Sequence, residues 1–155
     1  MASLLLQATG RLALIFFLVT AAGWPTGAQD GYPIATGPDK VAIRGYDTVA
    51  YFTDARAVKG SADIEYLWQG TRWWFSSTDH RDLFAADPER YAPQFGGFCA
   101  EGLAVGELAP ADPENWAVFD GKLYLASSAG NRAEWSKNPT RRIEHARTNW
   151  AGTKK

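Results

Sequence analysis

The stretch from Asn115 to Ser127, which reads NWAVFDGKLYLAS, constrains the fold of this chain most strongly. Two runs of alternating apolar and polar residues flank Asp120-Gly121, a pair suited to the positive φ angles of a tight turn. This pattern predicts an antiparallel hairpin near 115–126. Two similar runs around Gln69-Gly70-Thr71 predict another hairpin near 63–75.

Helix signals follow each predicted hairpin. Ser76 and Asp79 have the spacing of a capping box, which predicts a helix over 77–86. An Asp or Asn directly before a proline is a typical helix N-cap. Serines, which are also common N-caps, stand before another apolar run. These caps predict a short helix at Asp87-Pro88 carrying Tyr91, a helix from Ser127 or Ser128 through Trp135, and a last helix opening at Asn138-Pro139.

The remaining patterns indicate one small α+β domain. The β-branched and aromatic residues of TVAYF, 48–52, predict a short strand. The sequence shows no internal repeat and no low-complexity tract. Strands and helices are segregated rather than strictly alternating, so we expect a short antiparallel sheet with packed helices.

The N-terminus has the pattern of a secretory signal. Arg11 is the only charge before Asp30, and 12–23 is an uninterrupted run of apolar and small residues. A run of this length is typical of a signal peptide and short for a membrane-spanning helix. We predict cleavage after Ala28, with an uncleaved membrane anchor as the competing interpretation.

This reading divides the chain into four segments. They are a signal peptide at 1–28, a flexible arm at 29–39, the domain at 40–150 and a tail at 151–155. We expect the mature protein to be periplasmic or secreted, with no membrane span after cleavage.

Charge argues against nucleic acid as a partner. The chain has 16 Lys and Arg residues against 17 Asp and Glu residues. Its basic residues form no block beyond Arg141-Arg142 and Lys154-Lys155. A nucleic-acid-binding domain normally carries a basic patch or stripe.

Cys99 is the only cysteine of the chain. Exported proteins usually use cysteines in disulfide pairs, and none can form within this chain. Cys99 is therefore buried, paired with another molecule, or a working thiol.

Three motifs resemble the secreted branch of the YHS-domain family. They are GYDTVAYF (45–52), GTRWWFSSTDHRDLFAADPERYAPQFGGFCA (70–100) and FDGKLYL (119–125). The similarity covers about 39–150, and the order of the motifs makes it specific.

The resemblance has two implications for chemistry. The metal-binding type of this family carries cysteines where this chain has Ala50, Ser76 and His80, so we expect the three-cysteine zinc site to be absent. The secreted branch is similar to proteins that sometimes carry selenocysteine where this chain has Cys99. Selenocysteine serves reactivity rather than packing, so the resemblance implies a reactive Cys99.

The residues around Cys99 are compatible with a reactive thiol and with an inert one. Gly96-Gly97 permits a close backbone approach, and FCAEGLAV can begin a helical turn that favours the thiolate at Cys99. Such a sulfur would serve as a redox centre or bind Cu(I). The alternative is a buried, inert cysteine among apolar neighbours such as Phe95 and Leu103.

Other candidates surround this thiol hypothesis. His80 joins Cys99 as a candidate metal ligand, although a solvated position on its helix is the simpler interpretation. Asp47 is expected to bond backbone amides in a turn. The functional alternative is a hydrogen bond from Tyr46 or Asp47 into a pocket around Cys99. Spacing reveals no Ser/His/Asp or Cys/His constellation, so a hydrolase is not predicted.

The leading hypothesis is a small exported YHS-like domain, not an autonomous enzyme, that handles a copper-like soft metal or a thiol redox equivalent through Cys99. A periplasmic partner protein or thiol donor would complete the reaction. One alternative is a thiol-dependent peroxidase or reductase. The other is a non-catalytic binding module that uses an aromatic surface and buries Cys99.

Overall fold

The computed structural model describes residues 33–153. The predicted signal peptide lies outside these residues. The helices and strands are, in chain order, α1 (Ala50–Thr53), β1 (Ser61–Trp68), β2 (Thr71–Phe75), α2 (Thr78–Ala86), α3 (Pro88–Tyr91), α4 (Ala100–Ala104), β3 (Asp112–Phe119), β4 (Lys122–Ala126), α5 (Ala129–Ser136) and α6 (Pro139–Ala151). Short 3-10 turns at Ile43–Gly45 and Gln94–Gly97 precede α1 and α4.

Two antiparallel hairpins with packed helices confirm the α+β fold in a single domain. β1 pairs with β2 and β3 pairs with β4, and within residues 33–153 the two pairs form separate sheets. Gln69-Gly70 and Asp120-Gly121 form the turns, with positive φ at all four residues. The turn residues therefore predicted the positions of both hairpins correctly.

One predicted strand is wrong. TVAYF does not extend as a strand; α1 begins at Ala50 instead. Asp47 Oδ1 accepts hydrogen bonds from the amides of Val49 and Ala50, at 2.9 and 3.4 Å. These bonds favour a helical turn over the intrinsic β propensity of the segment.

The predicted helices are confirmed, with one change of cap. Ser77, rather than Ser76, caps α2, by accepting from the amide of His80 at 3.1 Å. Asp87 caps α3 as predicted. Ser128 and Asn138 cap α5 and α6 in the same way.

The segment assigned as an arm contributes hydrogen bonds where the structure describes it. The amide of Ala35 donates to the carbonyl of Gly96 at 2.8 Å, and the amide of Ile43 donates to the carbonyl of Ala35 at 2.9 Å. The packed domain therefore extends N-terminally of residue 40.

The core consists of three apolar clusters. One joins the first hairpin to α2 and α3, and another joins the second hairpin to α4, α5 and α6. A third cluster connects the first two clusters and consists of Ile43, Tyr51, Leu123 and Leu125. Each hairpin is thus covered by the helices that follow it.

The second half of the domain, 93–151, repeats the backbone of the first half, 41–91. β3 begins 51 residues after β1, at Asp112 against Ser61, and every bound of the second hairpin has this offset. The register irregularities coincide too, between Ser61 and Glu65 and between Asp112 and Trp116. The expectation of no internal repeat is therefore wrong for the backbone.

The core rings follow the same offset. Trp73 stacks on Phe84 with ring centroids 5.1 Å apart and planes inclined at 31°. Their counterparts Tyr124 and Trp135 are 5.0 Å apart and inclined at 33°. The two halves thus pack alike with different side chains.

Candidate functional site

Cys99 is completely buried, and it stands at the N-terminus of α4, where the sequence allowed a helical turn to begin. Three N–H groups point at its sulfur. The amides of Gly102 and Ser127 each lie 3.3 Å from Sγ, and Asn131 Nδ2 lies 3.9 Å away. Donors directed at an ionisable group stabilise its charged form.

The glycines before Cys99 are required by close packing. Gly96 and Gly97 have φ angles of 60° and 83°. A Cβ at Gly96 would lie 2.1 Å from the carbonyl oxygen of Pro33, and one at Gly97 would lie 2.6 Å from Ile43 Cγ2. The two glycines therefore allow the backbone to pass close to Pro33 and Ile43 and place Cys99 beside its hydrogen-bond donors.

Asp47 forms a second buried polar site in the other half of the molecule. Its carboxylate is fully buried, and Oδ1 bonds the amides that start α1. Oδ2 accepts from the amide and hydroxyl of Ser76, at 2.8 and 2.6 Å. The expectation that Asp47 bonds backbone amides in a turn is confirmed.

His80 belongs to this second site and is not the solvated residue that the sequence suggested. Its side chain is 14% exposed, and Nδ1 lies 2.7 Å from Asp47 Oδ2. Its Nε2 lies 3.2 Å from Thr53 Oγ1. The earlier interpretation was wrong because the partner of His80 comes from a segment 33 residues away in the chain.

Tyr46 and Asp47 do not support Cys99 in the manner that we considered. The hydroxyl of Tyr46 donates to Glu114 Oε1 at 2.8 Å, and this bond, with partial burial, raises the pKa of Tyr46. The Asp47 carboxylate bonds α1, Ser76 and His80. The sequence-derived candidates thus separate into two sites.

The two sites occupy equivalent positions in the two halves. With an offset of 52 residues in the loop, Cys99 corresponds to Asp47. Their amides donate to Ala109 and Val58, 2.9 and 2.8 Å away, which are themselves 51 residues apart.

The donors around the two side chains correspond as well. Ser127 matches Ser76, and the amide of each donates to the acceptor of its own half. Asn131 likewise matches His80. The thiol of Cys99 thus receives donors equivalent to three of those that hold the Asp47 carboxylate, from Gly102, Ser127 and Asn131.

Sequence reasoning missed Ser127 and Asn131 as site residues. Ser127 lies in the link between β4 and α5, where it was considered only as a cap, and Asn131 lies in the first turn of α5. The signal that locates them is a pattern repeated at a constant spacing: Gly, Ser-Ser, then Asp or Asn before Pro. It occurs at Gly70, Ser76-Ser77 and Asp87-Pro88, and again at Gly121, Ser127-Ser128 and Asn138-Pro139.

The carboxylate of Glu101 forms an ion pair with Arg142 rather than standing as an unpaired charge beside the sulfur. Its Oε1 is 3.3 Å from Arg142 Nη1 and its side chain is 8% exposed. Burial raises the pKa of this carboxyl, and Arg142 opposes the shift. Glu101 is therefore a buried partner of α6.

The residues described around Cys99 do not fit a soft metal. Sγ is surrounded by N–H donors, which supply hydrogens rather than lone pairs, whereas soft ions take thiolate, thioether or imidazole ligands. Across residues 33–153, no group of three or more His, Cys, Asp and Glu side chains is arranged to hold an ion.

No protein-family model, curated protein or solved structure matches this chain. No helix within residues 33–153 is both long and apolar enough to cross a membrane.

Proposed function

We propose that this protein is a small exported YHS-like domain in which Cys99 carries a thiol redox equivalent. The observation that carries the proposal is the match between Cys99 and Asp47, because the sulfur takes the donors that hold a carboxylate in the first half. The N–H groups at 3.3, 3.3 and 3.9 Å from Sγ are the partners that a sulfur nucleophile would have during reaction, and the thiolate is the reactive form of cysteine.

The sulfur lies one side chain below the surface. Ser127 and Asn131 are half-buried, and Asn131 lies in the first turn of α5. The Asn131 contact is the longest of the three at Sγ. Movement of the Asn131 side chain would therefore open a route from solvent to the thiol.

The chemistry is a two-electron exchange. The Cys99 thiolate attacks one oxygen of a hydroperoxide, the O–O bond breaks, and the other oxygen leaves as an alcohol after taking up a proton. A thiol of a partner then displaces hydroxide from the sulfenic acid to form a mixed disulfide, and water is released. A second thiol returns Cys99 to the thiol form, so both reducing equivalents come from outside this single-cysteine chain.

Alkylation of the folded protein tests the proposal. We expect iodoacetamide at pH 7 to modify Cys99 faster than global unfolding allows. Asn131→Leu removes one donor at similar volume and should slow alkylation by about tenfold, the value of a hydrogen bond to a charged group.

Asn149→Leu is the matched control. The Asn149 side chain donates to the carbonyl of Leu103 at 2.7 Å and makes no contact with the sulfur, so the rate should not change. Consumption of hydroperoxide with added thiol would then show whether the exchange turns over as an enzyme.

Complete burial of Cys99 favours a second candidate, the non-catalytic binding module. Its surface would be the aromatic cavity of about 140 Å³ between Trp68, Trp73 and Trp150. Alkylation that occurs only at the rate of global unfolding, unchanged by Asn131→Leu, would contradict the redox proposal and favour this module.

A further inference from the structure

The Asp47 site carries a feature that its counterpart lacks. His80 bridges the buried carboxylate of Asp47 and the exposed hydroxyl of Thr53, with contacts of 2.7 Å at Nδ1 and 3.2 Å at Nε2. An acid that orients an imidazole, which in turn contacts a hydroxyl, is the arrangement of an activated nucleophile.

The contacts of Asp47 select one tautomer of the neutral imidazole. An ionised carboxylate only accepts hydrogen bonds, so the neutral ring carries its hydrogen on Nδ1. Nε2 is then a lone-pair acceptor that faces Thr53 Oγ1. Asp47 is held in turn by the amide and hydroxyl of Ser76, so the ring has an anchored support.

Two carboxylates lie beside the imidazole. Asp47 Oδ2 contacts Nδ1, and Asp54 Oδ1 lies 3.9 Å from Nε2 and 2.9 Å from Thr53 Oγ1. Opposite charges attract at these distances, so both carboxylates favour the transfer of the hydroxyl proton to the ring. The hydroxyl of Thr53 itself lies on the protein surface, where an acyl donor can reach it.

From this geometry we infer that Asp47, His80 and Thr53 form an acyl-transfer site that accepts carboxylic esters with a good leaving group. Thr53 Oγ1 attacks the ester carbonyl carbon while its proton passes to His80 Nε2. The bond to the leaving oxygen breaks, and the leaving alcohol or phenol takes the proton from Nε2. Water, activated by the same nitrogen, then releases the acid and restores the hydroxyl.

Thr148 provides a matched comparison within the same molecule. Both threonines are exposed at helix positions, and each hydroxyl lies 3.2 Å from the carbonyl four residues earlier, Val49 for Thr53 and Glu144 for Thr148. Thr53 differs from Thr148 in having His80 Nε2 at 3.2 Å and Asp54 Oδ1, which accepts from its hydroxyl, at 2.9 Å. The His80→Gln variant therefore measures the contribution of His80, and Thr148 gives the rate of a threonine that lacks the imidazole.

The test is acetylation by p-nitrophenyl acetate, with each modified residue located and timed by peptide mass spectrometry. We expect Thr53 to be acetylated about 100-fold faster than Thr148, since a positioned general base contributes factors of this order. His80→Gln keeps a donor for Asp47 and removes the base, so it should lower the Thr53 rate to that of Thr148.

Two further variants make the result decisive. Thr53→Val keeps the shape and should remove the acetylated peptide. His145→Gln changes a histidine outside the site and should leave the Thr53 rate unchanged. Equal rates at Thr53 and Thr148, acetylation at neither, or a Thr53 rate unaffected by His80→Gln would overturn the inference.

Discussion

The two halves of this domain have the same backbone arrangement, and they differ in the side chain at the most buried polar position of each half. The first half places a carboxylate there, beside His80, and the second places a thiol, beside Asn131. Backbone amides of Ala50 and Ser76 in the first half correspond to those of Gly102 and Ser127 in the second, while Asp47 accepts in addition from the amide of Val49 and the hydroxyl of Ser76. The comparison teaches that the fold requires an acceptor at this position, while the chemistry depends on which acceptor and which helix residue are present.

Removal of the two acceptors should separate the halves most strongly. Asp47→Ala leaves amides, a hydroxyl and His80 without their buried partner, and should lower the free energy of unfolding by about 3–5 kcal/mol. Cys99→Ala removes a weaker acceptor with fewer donors and should cost about 1–3 kcal/mol. Urea unfolding measures both values, and equal losses would contradict the distinction.

Alanine at two matched glycines should have a smaller effect, alike in the two halves. Gly45 and Gly97 have φ angles of 77° and 83°, and a Cβ would lie 2.8 Å from Trp74 Cε3 or 2.6 Å from Ile43 Cγ2. We expect each Gly→Ala change to cost about 1–3 kcal/mol.

Gly106 is the control for these two variants. Its φ of 89° is also positive, but a Cβ there would have no neighbour within 4 Å. Gly106→Ala therefore measures conformational strain alone. Thermal unfolding that affects all three variants equally would show that the close contacts contribute nothing.

The smallest effect concerns pH, at a position where the halves differ in charge. Glu101 corresponds to Val49, and burial raises the pKa of Glu101 above the ordinary 4.5. The folded protein therefore holds this proton more tightly than the unfolded chain. Stability should fall as the pH rises from the unfolded value through the folded one.

Glu101→Gln should flatten this decline above the ordinary pKa of 4.5, while keeping a partner for Arg142. Glu134→Gln is the opposite case, because Lys137 lowers the pKa of Glu134 and its contribution is lost as the pH falls. Free energies of unfolding measured against pH distinguish the two. A decline that persists unchanged in Glu101→Gln would assign it to another group.

Local signals predicted most of the fold. The turns at Gln69-Gly70 and Asp120-Gly121 and the caps at Asp87 and Asn138 depend on neighbouring residues only, so the sequence reveals them directly. The segment 48–52 was misread because its conformation follows the side chain of Asp47 rather than its own propensity.

The sites were harder to predict because their contacts are distant in sequence. His80 looks like a surface residue until Asp47 is placed beside it. Asn131 acquires a role only through Cys99. The repeat itself was concealed because its core rings differ, Trp73 against Tyr124 and Phe84 against Trp135. Only a turn glycine, a serine pair and an Asp or Asn before proline recur in both halves.

The short links between each hairpin and its helix limit how molecules of this protein can exchange parts. Only Ser76 and Ser77 separate β2 from α2, and only Ser127 and Ser128 separate β4 from α5. Neither helix can reach the hairpin of the other half, although the two hairpins have the same geometry. An exchange of halves between two molecules would therefore move each hairpin together with the helix that follows it, with the chain opened at the link around Ala92 and Pro93.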